Sequence, residues 1–457
     1  AEDSVIIRVP EGASKSVSSD KKTDTAILLN ARPPHRVEAF GRAAVELFIE
    51  RSQDAEGSRD LLGGKAAKIG DSLVSSEKTG MLFRWFKKEL CERRGYQSVD
   101  DPIATADGGQ EIPLLVVMSA VLRHFKDDVL KYLSSRTGVS KTIKDVIWVA
   151  TIPAIYDDFA KRFMRVAAHK AGLIDKVDSP ELQLCLEPEA ACLAVNMREA
   201  RPLTRAGTKV MILDCGGGTI DITTHDISSV HPTLSLREIL APTGGPWGSS
   251  CVDGDFKKFF SQFVGDETFA NLRHTSVFYN LLNSWEEGKI AFGDGHHDRV
   301  RLNMVEVCQL LGFDFNRLQE LCAAHNNRYK TDLQLHVNQK KFIVILPRAL
   351  VRSFFAPTLN KIAACLRSLK RNGSLSELKN VFLVGGFSSS PLIEAVARAE
   401  LEGNGCTVVP IFRPDVAVVR GAVLFANNAE VFKSRVARLT YGVETSNKFD
   451  GNNPEHV

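Results

Sequence analysis

The stretch Val210-Met211-Ile212-Leu213-Asp214-Cys215-Gly216-Gly217-Gly218-Thr219-Ile220-Asp221-Ile222-Thr223-Thr224-His225-Asp226-Ile227 decides the fold. An apolar run enters three consecutive glycines and a second strand-like run leaves them, so the pattern predicts strand, glycine turn, strand. Glycines without a Cβ let backbone N–H groups approach an anion, and Asp214, Thr219 and Asp221 can reach a metal, a water or a phosphate oxygen. The stretch is not the dinucleotide fingerprint, whose glycines open a helix, and it lacks the Gly-Lys-Ser/Thr ending of a Walker loop. Taken alone, it reads as a phosphate clamp or as a tight hairpin with polar rims.

A second junction lies at Val381-Phe382-Leu383-Val384-Gly385-Gly386-Phe387-Ser388-Ser389-Ser390-Pro391, where a buried strand runs into glycines and an amphipathic helix, Leu392 to Glu402, follows. Two such junctions suggest two lobes closing on one ligand, with the Asp214 hairpin and the Gly385-Gly386 turn facing each other across a central cleft. Around them stand Val146-Ile147-Trp148-Val149-Ala150-Thr151-Ile152-Pro153-Ala154, Leu184-Cys185-Leu186-Glu187-Pro188-Glu189-Ala190-Ala191 and Arg413-Pro414-Asp415-Val416-Ala417-Val418-Val419-Arg420-Gly421-Ala422. In that order the set resembles the actin/hexokinase-type ATPase core of the seventy-kilodalton heat-shock chaperones. Thr243-Gly244-Gly245-Pro246-Trp247-Gly248 and Leu439-Thr440-Tyr441-Gly442-Val443 look most like the family's divergent heat shock protein 12 branch. The resemblance runs from about Phe40 to Phe449. It implies an α/β, two-lobed, actin-like ATPase fold, each lobe a mixed sheet flanked by helices. Residues 1–200 would form the first lobe, 201–430 the second with its adenosine motif, and 431–457 the start of a linker.

Composition sets the bounds. At 457 residues, 44% hydrophobic and 25% charged, the chain can bury two or more substantial cores. A net charge of +3 gives no reason to expect a nucleic-acid partner, and clusters such as Lys87-Lys88 and Arg93-Arg94 read as solvated faces. Nine scattered cysteines without a CxxC pair argue against a disulfide framework or zinc site and suit a reducing, cytoplasmic setting. No apolar run approaches the roughly 18 residues that span a bilayer.

Residues 1 to about 25 are polar and read as loop, and 54–71 as irregular. Strands are expected at 25–30, 37–40, 145–152, 182–186, 234–241 and 341–345, with helices at 43–50, 118–133, 157–171, 189–200, 281–292 and 347–370. The β-α-β-α order from 145 to 200 implies parallel or mixed sheet. His296-His297, without a third ligand nearby, reads as solvated loop.

Hydrolysis of a nucleoside triphosphate needs phosphate-binding amides, a magnesium held through water by carboxylates, and a group that orients the attacking water. By resemblance, Gly216, Gly217, Gly218 and Thr219 would cradle phosphates of ATP or ADP. Asp214, Asp221 and Glu187 would act near magnesium, through water, and near the attacking water. Lys87 matches the family's phosphate-facing lysine. Gly385 and Gly386 would admit the sugar and base, Asp415 would cap the helix beneath them, and Glu286 and Lys289 would contact ribose and adenine. Pro153 and Lys161 match a hinge proline and a basic relay residue, or serve as a strand-ending proline and a surface lysine.

The chain departs from the family pattern twice. The adenine-stacking arginine is Ile290 here, which removes a planar cation partner worth about 1 kcal/mol. The family's first phosphate loop, Asp-x-Gly-Thr-Thr, has no counterpart in Ala1 to Arg8, as expected of a fragment of a longer chain or of a degenerate nucleotide binder. The resemblance therefore implies a chaperone-like ATP-binding domain that regulates protein clients or signalling partners. A non-catalytic adaptor on the same fold is the alternative, and a sugar kinase lacks a convincing acceptor-activating aspartate.

Overall fold

The computed structural model describes residues 25–60, 79–92, 95–198, 205–230, 234–293, 295, 297–329, 331–338, 341–403, 405–440 and 442. The apolar tetrad Ala26–Leu29 (β1) is buried on both faces and pairs antiparallel with Val37–Phe40 (β2) and, beyond helix Arg42–Asp60 (α1), with Met81–Arg84 (β3). A hairpin of Ile103–Thr105 (β4) and Glu111–Pro113 (β5) leads into helix Leu114–Thr137 (α2). Trp148–Ile152 (β6) then runs parallel to Leu182–Leu186 (β7) through the crossover helix Asp158–Ala171 (α3), and helix Glu187–Arg198 (α4) follows directly. Asp157 caps α3 by accepting the Ala160 N–H at 2.8 Å, which satisfies one orphan donor of the first turn.

The rest of the chain is built on a six-stranded mixed sheet. Lys209–Cys215 (β8), Ile220–Ser229 (β9) and Ser235–Gly245 (β10) form an antiparallel meander. Helices Ser249–Val264 (α5) and Ser276–Ala291 (α6) follow, then a small sheet of Val300–Asn303 (β11), His336–Asn338 (β12) and Ile343–Leu346 (β13). Helix Arg348–Lys370 (α7) returns the chain to the sheet, where Leu378–Val384 (β14) joins β8 in parallel. Beyond helix Pro391–Leu401 (α8), Thr407–Pro410 (β15) pairs with β14. Helix Ala417–Asn427 (α9) carries the chain to the opposite edge, where Phe432–Ser434 (β16) lies parallel to β10, giving the order β15-β14-β8-β9-β10-β16.

The core explains this layering. Along β8 successive side chains face opposite ways, so Met211 and Leu213 pack with Phe256, Trp285 and Phe355, while Val210 and Ile212 pack with Phe382, Ala190 of α4 and Phe425 of α9. Both faces are covered, which is why the strand reads as an unbroken apolar run. A separate core joins Ile27, Phe83, Leu114 and Phe163. The result is a mixed α/β, two-lobed fold, as the sequence pattern implies.

Two expectations are corrected. The Asp214 hairpin and the Gly385-Gly386 turn do not face each other from separate lobes: β8 and β14 are parallel neighbours, with Val384 in register with Asp214, and both glycine junctions leave the same end of one sheet. A glycine after a buried strand marks close approach, and at Gly385 the close neighbour is the adjacent strand. A Cβ there would lie 2.3 Å from Asp214 Oδ1 and 2.4 Å from the Cys215 carbonyl oxygen, and its φ of +83° favours glycine independently. The helix read over 43–50 also runs on to Asp60, because Glu50, Arg51, Gln53 and Ala55 keep good helix propensity after the apolar face ends. The remainder of that irregular stretch, and His296, lie outside the described residues.

Phe256 stacks on Trp285 with centroids 4.1 Å and planes 2° apart, both buried under the sheet. Phe256→Ala is expected to lower the unfolding free energy by about 3–5 kcal/mol in urea denaturation, and Phe256→Leu by clearly less.

Candidate functional site

The glycine turn is held from behind. The Gly216 N–H closes the hairpin on the Thr219 carbonyl at 2.9 Å. The carbonyls of Gly216, Gly217 and Gly218 accept N–H groups of Ser249 (3.2 Å), Ser250 (3.0 Å) and Gly248 (3.1 Å), at the start of α5. A Cβ on Gly248 would sit 2.4 Å from the Gly217 oxygen, so the contact requires glycine there. With its carbonyls engaged, the turn presents its other face outward. Among the described residues the N–H groups of Gly217 and Gly218 have no acceptor.

Asp214 and Asp221 are directly opposite residues on β8 and β9, so both carboxylates stand on one face of the hairpin. Asp221 is 1% exposed and accepts the Ile155 N–H at 2.9 Å and the Thr219 hydroxyl. Burial, helped by the nearby charge of Glu187, pushes its carboxyl up to about 6; the two hydrogen bonds and the charge of Lys87 oppose that rise. Glu187, the first residue of α4, pairs with Lys87. Burial works against the Lys87 charge, yet the charge and hydrogen bond of Glu187 outweigh it and hold the ammonium above its usual range. The Tyr156 hydroxyl donates to the Lys87 carbonyl at 3.0 Å, tying this turn to the segment that carries Ile155. Lys87, Glu187, Asp214, Thr219, Asp221 and the glycine turn therefore share one site.

Lys87 arrives on a short 3-10 turn, Phe86–Lys88, launched by Trp85 in the left-handed region at φ 59°. Such a conformation costs an aromatic residue about 1–3 kcal/mol. It is over-determined by the Trp85 N–H donating to the Thr25 carbonyl at 3.2 Å and by the Lys88 N–H donating to the Trp85 carbonyl at 3.0 Å. The half-exposed Trp85 ring and the Lys88 stem lie against Gly217 and Gly218.

The nucleoside side is placed differently. Lys289, 4% exposed, is held by Asp253 at 2.7 Å and Glu286 at 2.5 Å. Asp253 also accepts the Trp285 indole N–H at 2.9 Å, so Lys289 is a satisfied core cation. Ile290 is 53% exposed. Arg84, the residue before Trp85, pairs with Asp107, and both lie in the electrostatic environment of Lys257 together with Asp253 and Lys289, so β3 connects this group to the glycine turn. Gly386 opens the short turn Gly386–Ser389. Asp415 does not cap the helix beneath: its carboxylate is held bidentately by Arg413 at 2.9 and 2.8 Å, and α9 starts two residues later, with Val416 as cap and no side-chain bond. The adjacent Pro414 carbonyl accepts the Gly385 N–H at 3.0 Å, which is how this segment reaches the site. Lys161 pairs with Asp158 at 3.2 Å on an exposed face of α3.

Sequence reasoning missed a second polar group. Buried Glu189 holds Arg435 bidentately at 2.6 and 3.1 Å, and Glu238 accepts the Val436 N–H at 2.6 Å. Arg438 donates to the carbonyls of Ala154 and, at 2.9 Å, Ile155, whose N–H binds Asp221. The pairing spans 246 residues between Glu189 and Arg435, and no local pattern announces it.

Comparison with known proteins follows the same lines. Heat shock 70 kDa protein 12A of Homo sapiens is 28% identical over 503 residues, spanning 98% of this chain and 70% of that protein. Among its relatives are heat shock 70 kDa protein 12 proteins. The Mus musculus 12A protein is 27% identical with the same coverage, and Homo sapiens 12B is 26% identical over 97% of this chain and 68% of its own. No family model matches the chain.

Because Asp221 titrates near 6 in the folded protein and near 3.9 unfolded, the folded state holds a proton between those values that the unfolded state has released. Its contribution therefore makes stability fall as pH rises from about 4 to about 6, by up to about 3 kcal/mol. Asp221→Asn is expected to be more stable than the parent at pH 7 and to lose that advantage at pH 4, read by denaturation at both values.

Proposed function

We propose that this heat-shock-70-type ATPase fold binds a magnesium nucleoside phosphate at the glycine hairpin and uses the bound state to regulate protein partners. The observation that carries the reading is the pair of unengaged N–H groups on Gly217 and Gly218, set beside the opposed carboxylates Asp214 and Asp221. Backbone amides of this kind bind anions without side-chain desolvation, and carboxylates at their flank suit a hydrated divalent cation.

Among the described residues no group of three or more His, Cys, Asp or Glu could hold a metal directly. Asp214, Asp221 and Glu187 would instead hold magnesium through water, and the ion would supply neutralisation of charge developing on the transferred phosphoryl group. Asp221, raised to about 6 by burial, can accept a proton at this site, and Lys87 keeps Glu187 oriented toward the same space. In this reading residues 1–200 and 201–430 are the two lobes and 431–457 the start of a linker. None of the nine cysteines is in a disulfide, in keeping with a cytoplasmic setting.

A second reading, a non-catalytic adaptor, is favoured by Lys289 being consumed in ion pairs and by exposed Ile290 in place of a stacking arginine. The two separate by calorimetric titration. MgATP and MgADP are expected to bind weakly, and Gly217→Val, which puts a branched side chain into the cradle, to reduce affinity at least tenfold, about 1.4 kcal/mol. Binding unchanged in Gly217→Val would remove the phosphate from this turn. Absence of binding in a folded parent would leave the adaptor.

A further inference from the structure

We infer that Lys88, and not Lys87, is the cation that meets the phosphate on the glycine turn, with the Trp85 ring closing the turn beside it. This deepens the nucleotide reading and rests on it for the identity of the ligand, though not for the presence of an anion.

Four observations converge. Lys87 is committed: its ammonium is paired with Glu187, so its charge is already matched by a carboxylate. Lys88, the next residue, has no carboxylate partner among the described residues, although it is only partly exposed. Its Cγ and Cε both lie 3.6 Å from where a Cβ on Gly218 would sit, so the stem runs along the glycine turn. Gly218 and its neighbour Gly217 carry the two N–H groups without acceptors among the described residues, so a cation without a carboxylate partner runs beside two open donors.

The chemistry favours the same assignment. An ammonium is a compact charge with three donors and reaches a phosphate oxygen without the planar fit that a guanidinium needs. Leaving it unpaired beside unsatisfied backbone donors makes sense only if an anion completes both. Trp85 is the geometric device. Its left-handed φ of 59° reverses the chain so that the ring comes within 3.8 Å of the Cβ position at Gly217 while Lys88, three residues on, covers Gly218. The ring excludes water on one side of the turn, which strengthens the charge on the other. Neither residue has a signal of its own in the sequence, where Lys87-Lys88 reads as a solvated basic pair.

The test is calorimetric titration of the full chain with two probes, inorganic pyrophosphate and MgADP, in the parent, Lys88→Met, Lys88→Arg and Lys87→Met, with tryptophan emission recorded in parallel. Lys88→Met is expected to weaken both probes at least tenfold, Lys88→Arg to recover most of the loss, and Lys87→Met to weaken them less than Lys88→Met does. Emission should change on adding pyrophosphate to the parent and stay constant in Trp85→Phe, which keeps the other three of the four tryptophans. Pyrophosphate binding that depends on Lys88 without any MgADP binding would uphold this inference and overturn the nucleotide reading. MgADP binding indifferent to Lys88→Met, or more sensitive to Lys87→Met, would overturn the inference and leave the nucleotide reading standing. A folded parent that binds neither probe would overturn both.

Discussion

Three backbone hydrogen bonds organise the site: the carbonyls of Gly216, Gly217 and Gly218 accept the N–H groups of Ser249, Ser250 and Gly248. They satisfy the orphan donors at the start of a sixteen-residue helix and at the same time orient a turn that has no side chains to orient it. A glycine triplet is otherwise the most conformationally free stretch a chain can contain, and ordering it costs more entropy than ordering any other residues. Anchoring the carbonyls meets that cost once, in folding, so that the N–H groups are already aimed when an anion arrives. The large aromatic core under α5, with Phe256 against Trp285, is what makes the anchor rigid.

Charge is arranged on that frame in pairs of unequal commitment. Glu187 and Lys87 are committed to each other, Lys289 to Asp253 and Glu286, and Asp415 to Arg413. Asp221 sits deeper than any of these, with backbone and hydroxyl donors but a carboxylate neighbour, and its proton affinity rises accordingly. Arg438 links the same corner to the segment after β16 by holding the carbonyls of Ala154 and Ile155, next to the N–H that Asp221 accepts. An ion pair and a hydrogen bond between residues this far apart in sequence join α4 and β10 to the segment after β16.

The hairpin, its carboxylates and the strand–helix alternation were legible in the sequence because each is a local pattern: a short apolar run, a glycine run, apolar residues at helical spacing. Partner choice was not legible. Gly385 reads in one dimension as room for a ligand, and in three it is room for Asp214 on the next strand. Lys289 occupies the position expected of a nucleoside contact, yet Asp253, thirty-six residues away, turns it into a core ion pair. Asp415 has the chemistry of a helix cap but lies next to Arg413, whose fork matches a carboxylate better than a single N–H does. Trp85 and Lys88 gain meaning only because the left-handed turn lays them on glycines 132 and 130 residues further along.

Amide hydrogen exchange at single-residue resolution tests the central claim most directly. If the turn is anchored by its carbonyls and open at its N–H groups, the amides of Gly248, Ser249 and Ser250 exchange slowly in the unliganded protein while those of Gly217 and Gly218 exchange fast, and adding MgADP slows only the latter pair. Slow exchange of Gly217 and Gly218 without ligand, or fast exchange of Ser249 and Ser250, would contradict the account.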